Sequence, residues 1–564
     1  MANLSQQNRE RMLAFLEELK KQHTDDNSLI AIGEIERELT SKKYGLVWEQ
    51  HEEGVDVKMR THIPVFVEDK SREIVAKPDG TDYNFLLEGD NLHSLKLLEK
   101  THRGKIDVIY IDPPYNRGKT NFKYDDDYIV EEDGFRHSKW ASFMYERLTS
   151  AKKLLSKKGL IFIHIDDNEQ ACLKLLMDDI FGNNYISTLI WDLGTGTQAG
   201  QFTRSHEYIF VYALDKSLIS NFSSLEEGSI KHGALKKISK KNPPVTITFP
   251  AGFPCLGGDR VITGEIGGSE KEFIHGEMVI KNGALAKEVE ITAGFAMRKQ
   301  VEAWIRGETV YDTKGQLVKG FYFNASGILF YEKVKSTENP KSVLRDVANT
   351  KNGTDELENI FGSKPFDFPK PTALVEHLLG LAVSLYNSPI ILDFFAGTGT
   401  TGQAVLNINS KLNRNCRFIL CTNNENRICE EVTYQRLKTV ITGKRADGSE
   451  YSDGIPANLM YYKTDFVAKD SEYLSDDLLE HIVEMIQLEY GVRVDGKRFV
   501  MIMTDEEMDD FERSRTEYKD LRAVFVSQDV LLSAKQEQML RELSSFVIPD
   551  YYFDFELREA GELW

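Results

Sequence analysis

The sequence predicts an α/β protein whose mostly parallel sheet is built from two separate parts of the chain. Strand-like and helix-like segments alternate from Phe85 to Ile165, and the alternation resumes at Thr372 after a long stretch without it. Alternating strands and helices are typical of βαβ units, which form parallel sheets. The intervening stretch, rich in Gly, Thr and Lys, therefore predicts an inserted domain.

The elements of both blocks follow from the spacing of apolar residues, which recur every three to four positions in helices and run continuously in buried strands. The first block comprises a helix at Asn91–Leu98, a strand at Ile106–Ile111, a helix at His137–Leu155 and a strand at Leu160–Ile165. The second comprises a helix at Thr372–Leu385, a strand at Ile390–Phe394, a helix at Thr401–Ile408 and a strand at Arg417–Thr422. A helical pair, Leu4–Gln22 and Leu29–Leu39, precedes both blocks.

Length and charge divide the chain further. At roughly 150 residues per domain, 564 residues suggest three or four domains. The net charge is −19, and residues 465–564 hold 25 acidic against 11 basic residues, so we predict a separate acidic α/β domain that contacts protein rather than phosphate. We place the domains at 1–43 (N-terminal helical segment), 44–193 (first α/β block), 194–360 (inserted domain), 361–464 (second α/β block) and 465–564 (acidic C-terminal domain).

The middle of the chain has the opposite charge balance. Residues 228–351 hold 19 basic and 13 acidic residues, with a cluster at Lys236, Lys237, Lys240 and Lys241. Clustered lysines bind the phosphates of nucleic acid, so we predict a DNA-binding role for these four. A merely solvated face explains the same pattern equally well.

Composition also indicates where the protein works. No apolar run approaches the roughly 20 residues that cross a bilayer, and the polar N-terminus lacks the features of a secretory signal. The five cysteines form no Cys-x-x-Cys pair, which argues against a disulfide framework and a thiolate zinc site. We therefore expect a cytoplasmic protein without a membrane partner.

The first motif with chemical content is Asp112-Pro113-Pro114-Tyr115, directly after a buried strand. Ligands of α/β proteins bind at the carboxyl ends of parallel strands. A carboxylate and a rigid backbone carbonyl, here Asp112 and Pro113, can accept both hydrogens of an amine conjugated to a ring and so free its lone pair for methylation. Tyr115 offers a flat face for a base rotated out of a duplex, and the prolines supply stiffness.

The second motif, Asp393 to Thr401, also follows a strand and opens a helix. Gly397 and Gly399 permit a tight turn and close approach of a ligand, while Thr400 or Thr401 can cap a helix whose N-terminus attracts a carboxylate. The third glycine of a dinucleotide fingerprint and the lysine of a phosphate loop are missing, so neither NAD nor ATP is favoured. Glu425, after the next strand, can hold ribose hydroxyls.

Together the motifs resemble the DNA amino-methyltransferases that use S-adenosylmethionine, and their order resembles the permuted beta class. More closely, the chain resembles modification (Mod) subunits of type III restriction-modification systems. The segments that carry this resemblance are Phe85–Leu92, Phe162–Glu169, Ser205–Tyr208 and Phe368–Pro371.

The resemblance implies a seven-stranded Rossmann-like sheet, an inserted target-recognition domain and N6 of adenine in duplex DNA as the methyl acceptor. It implies Asp112, Pro113, Pro114 and Tyr115 as catalytic residues. It also implies a cofactor site for S-adenosylmethionine at Asp393, Phe395, Gly397, Gly399, Thr400, Glu425, Lys370 and Asp90. A second copy of the chain and a nuclease-helicase restriction subunit are the implied protein partners.

Three alternatives accompany this interpretation. Cytosine N4 methylation uses a similar motif, although Asp rather than Ser before the prolines favours adenine. The chain could instead act mainly as a DNA-recognition subunit that directs a nuclease. Asp90 could cap the next helix instead of contacting the cofactor.

No metal is expected, because methyl transfer from a sulfonium needs none. Helix capping at a strand end explains the acidic run near Asp166.

Overall fold

The computed structural model describes most of the chain in two compact units. The described residues are 4–23, 25–40, 48, 53–78, 80, 82–118, 123–124, 127–128, 134–199, 201–222, 229–312, 316–334, 339–345, 347–548 and 552–560. One unit consists of Met1–Ser220 with Ser342–Trp564, and the other of Asn221–Lys341. The predicted boundary after residue 43 lies outside the described residues.

Helices occur in both units, and in both blocks of the first unit they alternate with strands. The helices are α1 Leu4–Gln22, α2 Asp26–Thr40, α3 Gly54–Thr61, α4 Asn91–Thr101, α5 Arg136–Leu154, α6 Gln170–Phe181, α7 Arg298–Ile305, α8 Thr350–Phe361, α9 Thr372–Val383, α10 Thr400–Leu412, α11 Tyr434–Thr442, α12 Leu474–Leu479, α13 Ile482–Tyr490, α14 Asp505–Ser514, α15 Ala534–Arg541 and α16 Asp554–Ala560. Within the described ranges, none of these helices combines the length and the apolar character needed to cross a membrane.

The strands fall into several sheets. They are β1 His62–Glu68, β2 Ile74–Val75, β3 Tyr83–Glu88, β4 Ile106–Ile111, β5 Lys123–Tyr124, β6 Asp127–Tyr128, β7 Leu155–Ile165, β8 Tyr185–Ala199, β9 Phe202–Ala213, β10 Ser229–Gly233, β11 Val245–Phe249, β12 Arg260–Ile266, β13 Glu272–Lys281, β14 Ala284–Leu285, β15 Val289–Ala293, β16 Val318–Phe323, β17 Leu329–Val334, β18 Val343–Leu344, β19 Ile390–Asp393, β20 Arg417–Thr422, β21 Asn458–Ala468, β22 Phe499–Ile502, β23 Ala523–Ser527 and β24 Ser545–Ile548.

The main sheet of the first unit joins strands from both blocks. Its order is β1-β21-β3-β20-β19-β4-β7-β9-β8-β18, with β2 beside β21, which makes eleven strands rather than the seven predicted. Strands β3, β20, β19, β4 and β7 run parallel to one another, whereas β9 runs antiparallel to β7 and β8. The two blocks meet where β19 pairs with β4.

The acidic C-terminal segment shares the core of this sheet. Its strands β22, β23 and β24 form a parallel sheet of their own. Leu474, Met485 and Ile486 are nevertheless fully buried in one apolar cluster with Phe85 of β3. The segment is therefore not separate from the first unit, and the predicted boundary after residue 464 falls inside β21, which pairs with β1 and β3. Net charge alone did not reveal the apolar helix faces that bind it to the sheet.

Ending the chain at Thr464 is expected to prevent stable folding of the first unit. The cut divides β21 and removes buried residues such as Leu474, Leu478, Met485 and Ile486 from the core. Burial of each such side chain contributes roughly 1.5–3 kcal/mol, so their combined loss is comparable to the roughly 5–15 kcal/mol that stabilises a typical protein. Circular dichroism should show no cooperative unfolding transition. A melting temperature within about 5 °C of the full chain would contradict this expectation.

The second unit consists mainly of antiparallel β-sheets, together with the helix α7, and has its own core. One sheet has the order β10-β17-β16, and another has the order β11-β15-β13-β12 with β14 beside β13. Phe249, Ile291, Phe321 and Phe323 lie in its apolar cluster, which explains why this stretch lacks the βαβ rhythm. The unit spans Asn221–Lys341, whereas the insertion was predicted to span 194–360. The difference arises because β8, β9 and α8 pack within the first unit.

Candidate active site

The two motifs lie next to each other at one edge of the main sheet. Strand β4 leads to Asp112, and the neighbouring strand β19 ends at Asp393. The strands are parallel, with Leu392 opposite Ile109, so both acidic residues lie at the carboxyl ends of adjacent strands. Parallel sheets place ligand sites at this edge.

Asp112 is held by two donors. The hydroxyl of Tyr115 donates to Oδ1 of Asp112 at 2.7 Å, and Nζ of Lys370 lies 2.9 Å from Oδ2. Nε1 of Trp140, on α5, donates to the carbonyl oxygen of Pro114 at 2.7 Å and so anchors the proline pair. The structure thus brings Lys370 to the first motif, and the contact with the cofactor that the resemblance implied for Lys370 stays a prediction.

Charge pairing decides the ionisation of this cluster. Burial alone would raise the pKa of Asp112, but the Lys370 ammonium outweighs burial and lowers that pKa. Burial alone would lower the pKa of Lys370, but the carboxylates of Asp112 and Glu207 raise it. Burial and the same two carboxylates raise the pKa of the Tyr115 hydroxyl well above its usual value. Asp112 is therefore an ionised acceptor and Lys370 a charged donor at neutral pH.

Glu207 belongs to the same cluster, although sequence analysis gave it no role. Its carboxylate accepts from the Tyr115 hydroxyl at 3.2 Å and lies 3.3 Å from Nζ of Lys370. Arg117 contacts its other oxygen at 3.3 Å and also pairs with Asp166 at 2.7 Å. The only signal in the sequence was the family resemblance of Ser205–Tyr208, which identified the segment but not what Glu207 contacts.

The second motif forms a turn in which two glycines have positive φ angles, a backbone conformation that favours glycine. Gly397 has φ of 49° and Gly399 has φ of 77°. Asp393 closes the turn by accepting hydrogen bonds from the backbone N–H of Phe395 at 3.0 Å and from the Thr401 hydroxyl. Burial raises the pKa of Asp393 to about 7. Gly399 is the N-cap of α10, so neither Thr400 nor Thr401 caps the helix as predicted.

A buried arginine stabilises the glycine-rich turn through hydrogen bonds. Arg436, on α11, donates to the hydroxyls of Thr398 at 3.1 Å and Thr400 at 2.8 Å. Burial lowers its pKa to about 10, so it stays charged. The Thr400 hydroxyl in turn donates to the backbone carbonyl of Lys370 at 3.3 Å, which links the glycine-rich turn to the Asp112 cluster. Arg436 could not be identified from the sequence, because an arginine inside a helix carries no local signal of burial.

The remaining predicted cofactor residues follow neighbouring strands. Asp90 follows β3, and Glu425 follows β20 and is exposed. Asp90 caps α4 by accepting from the backbone N–H of Leu92 at 2.7 Å, in line with the capping alternative, and Arg147 also contacts it at 3.3 Å. The ring of Phe395 is partly buried, 5.9 Å from the ring of Phe143.

The lysine cluster lies in the second unit and is described there alone. All four side chains, Lys236, Lys237, Lys240 and Lys241, are exposed. They occupy a loop that Asn242 closes by donating to the carbonyl of Lys236 at 3.3 Å.

Comparison with known proteins defines the class. A family model described as DNA methylase (N6_N4_Mtase) matches residues 106–434, more than half of the chain, so the chain belongs to this family. Among its relatives, the StyLTI Mod subunit of the type III restriction-modification enzyme of Salmonella typhimurium is 32% identical, over 64% of this chain and 55% of that protein. The EcoPI Mod subunit of Escherichia phage P1 is 29% identical, over 68% of this chain and 64% of that protein.

The chain thus spans between about half and two thirds of the length of these Mod relatives. A type II methyltransferase, M.KpnI of Klebsiella pneumoniae, is 32% identical over 57% of this chain and 76% of that protein. Among solved structures, the cytosine-N4-specific PvuII DNA methyltransferase covers 61% of this chain and 83% of its own, with 9% identity and a TM-score of 0.31.

Proposed function

We propose that the chain is an S-adenosylmethionine-dependent DNA methyltransferase that methylates N6 of adenine in duplex DNA. We further propose that it serves as the modification and recognition subunit of a type III restriction-modification system. The observation that carries the proposal is the adjacency of the two motifs, because Asp112 and the glycine-rich turn follow neighbouring parallel strands and are joined through Lys370. Family membership and the Mod relatives support it.

The residues of the glycine-rich turn fit the cofactor. A Cβ at Gly397 would meet, among the described residues, only the carbonyl oxygen of Phe395 at 3.8 Å, so the backbone borders space that a ligand can fill. Gly399 supplies no capping oxygen to α10, whose N-terminus can therefore receive a carboxylate. S-adenosylmethionine supplies an electrophilic methyl group on sulfur. We assign Asp393, Phe395, Gly397, Gly399, Thr400 and Glu425 to its binding.

Asp112 performs the central step by accepting an N–H of the target amine. An exocyclic amine is a poor nucleophile because its lone pair is delocalised into the ring. The Asp112 carboxylate and the Pro113 carbonyl together draw its hydrogens out of the ring plane and orient the lone pair. Tyr115 is 5% exposed, with Lys370 5.0 Å from its ring centre, so a base can stack on Tyr115 only after neighbouring side chains move.

The proposed fold assignment follows the order of the strands. The central strands β3-β20-β19-β4-β7-β9-β8 serve as the seven-stranded methyltransferase sheet, and the other strands extend its edges. The catalytic strand β4 precedes the cofactor strand β19 in the chain, as the permuted beta class requires. The second unit, inserted between the two blocks, is assigned to target recognition.

Methylation of DNA by the purified chain tests the proposal. A duplex library or genomic DNA is incubated with the protein and methyl-labelled S-adenosylmethionine, and the digested nucleosides are separated. We expect labelled N6-methyladenine, at one short sequence located by single-molecule sequencing. Labelled N4-methylcytosine would support the cytosine alternative. Sequence-specific DNA binding without any labelled base would support a recognition subunit and contradict the proposed reaction.

Neutralising Lys236, Lys237, Lys240 and Lys241 to glutamine is expected to weaken binding to all DNA sequences alike. Each phosphate contact that is lost reduces the slope of log affinity against log salt by about 0.9, so four contacts would flatten it by about 3.6. Fluorescence anisotropy between 50 and 200 mM salt measures the slope. Glutamine at exposed Lys438, in the first unit, is the control. An unchanged slope would identify the cluster as an ordinary solvated face.

We also propose a cytoplasmic location and two protein partners, a second copy of this chain and a nuclease-helicase subunit. The C-terminal segment is the proposed contact region, because Leu531 is 81% exposed and Val547 on the edge strand β24 is 62% exposed. Light scattering of the full chain with Leu531→Asp and Val547→Asp tests this assignment. We expect a smaller assembly than the wild type. Unchanged assembly both alone and with a restriction subunit would contradict it.

A further inference from the structure

Glu207 occupies a position where a strand normally places an apolar side chain. It lies on β9, whose side chains alternate between the two faces of the sheet. Glu207 shares its face with Ile209 and Val211, and all three are buried. Burying a carboxylate is costly unless charged or hydrogen-bonding partners compensate. The charged and hydrogen-bonding partners of Glu207 therefore indicate what its carboxylate does.

Within the part of the chain that the structure describes, the contacts of this carboxylate lead to the catalytic motif or to residues that hold it. One oxygen accepts from the Tyr115 hydroxyl at 3.2 Å and lies 3.3 Å from Nζ of Lys370. The other lies 3.3 Å from Arg117, whose guanidinium is 4.9 Å from the Tyr115 ring centre. Tyr115 and Lys370 are also the two donors that hold Asp112. Glu207 thus shares both donors with the proposed catalytic carboxylate.

We infer that Glu207 is a positioning residue that draws Lys370 and the Tyr115 hydroxyl partly away from Asp112, and so preserves the strength of Asp112 as an acceptor for the target amine. This inference rests on the proposed function. A carboxylate that is the sole ion-pair partner of an ammonium group is a weaker acceptor for a further N–H, because its negative charge is largely neutralised. Sharing Lys370 between two carboxylates leaves negative charge on Asp112.

The sharing also fits the charge that methylation creates. As the amine attacks, positive charge develops on its nitrogen, and an ammonium ion held only by Asp112 would oppose that charge. Glu207 supplies the compensating negative charge within the same buried cluster. Fixed charges arranged around a developing charge are a large source of transition-state stabilisation in enzymes.

Two substitutions separate the charge of Glu207 from its shape. Glu207→Gln keeps the shape and removes the charge, whereas Glu207→Asp keeps the charge and shortens the side chain. We expect kcat to fall about tenfold to a hundredfold in Glu207→Gln and less in Glu207→Asp, with dissociation constants for S-adenosylmethionine and DNA within about threefold of the wild type. A purely structural role predicts the opposite order, because glutamine is the better replacement by shape.

Glu99→Gln provides a matched control. Glu99 is a half-buried glutamate of the first unit that is paired with Lys153 at 2.9 Å, and it lies on α4 away from the Asp112 cluster. Its substitution should leave kcat unchanged. A double mutant with Lys370→Gln then tests the route of action. If Glu207 acts largely through Lys370, Glu207→Gln costs no more than about threefold in the Lys370→Gln background, whereas losses that multiply would overturn the inference.

The titration of Lys370 supplies a readout that does not depend on the substrate. Glu207 raises the pKa of the Lys370 ammonium, so Glu207→Gln should lower that pKa. Nuclear magnetic resonance of lysine-labelled full-length protein, assigned with Lys370→Gln, measures the shift. An unchanged Lys370 pKa would overturn the inference even if the chain methylates DNA. A lowered pKa in a chain that methylates no DNA would instead leave the Glu207–Lys370 coupling intact and reject the proposed function.

Discussion

Asp112→Ala is expected to reduce methyl transfer by at least about 10³-fold while S-adenosylmethionine binds within about threefold of its normal affinity. Alanine removes the acceptor that orients the target amine, and no other described carboxylate follows β4 at this position. The cofactor turn follows β19 and is closed by hydrogen bonds from the Phe395 N–H and the Thr401 hydroxyl to Asp393, and neither of these bonds involves Asp112. Single-turnover methylation and calorimetry measure the two effects separately.

The fold should survive this substitution. Lys370 retains Glu207 at 3.3 Å, so its buried charge keeps a partner. Asp179→Ala is the control, because Asp179 is an exposed aspartate on α6 and should leave both measurements unchanged. Equal loss of methyl transfer and cofactor binding in folded Asp112→Ala protein would show that the two roles are not divided between the strands as proposed.

The central strands could be predicted from sequence because most of their residues are apolar and adjacent in the chain. Ile106–Ile111 and Arg417–Thr422 were predicted with the bounds that the structure has. The strands at the edges of the main sheet were harder to predict. Strand β21 contains Lys463, Thr464 and Asp465, so its apolar pattern is broken, and a domain boundary was placed inside it. Only the pairing of β21 with β1 and β3 explains why these polar residues lie in a strand.

In the candidate site, too, residues of short motifs could be predicted from sequence, whereas residues that act through distant contacts could not. Asp112 and Gly397 lie in short motifs whose chemistry is readable from neighbouring residues. Glu207 and Arg436 act through contacts with residues far away in the chain, and nothing near them in sequence indicates those partners. Lys370 combines both cases, since the sequence located it in a family motif while its contact with Asp112 emerges only in the folded sheet.

Gly397→Val is the second substitution with a large expected effect, a loss of about a hundredfold or more in affinity for S-adenosylmethionine. The added side chain meets little protein, since only the carbonyl oxygen of Phe395 among the described residues lies within 4 Å of a Cβ at this position. It therefore projects into the space proposed for the ligand. The left-handed backbone at Gly397, with φ of 49°, adds a conformational cost of about 1–2 kcal/mol for any side chain. Calorimetry with the cofactor measures the loss.

Gly182→Val separates this conformational cost from loss of the site. Gly182 also has a left-handed φ, 60°, and no described atom lies within 4 Å of a Cβ there. It ends α6, and helices between parallel strands end at the edge of the sheet opposite the carboxyl ends where the two motifs lie. Gly182→Val should lose at least as much stability as Gly397→Val, because the ψ of Gly182, −133°, is also unfavourable for a side chain, but only Gly397→Val should lose cofactor affinity. Equal affinities in the two folded variants would remove the glycine-rich turn from the cofactor site.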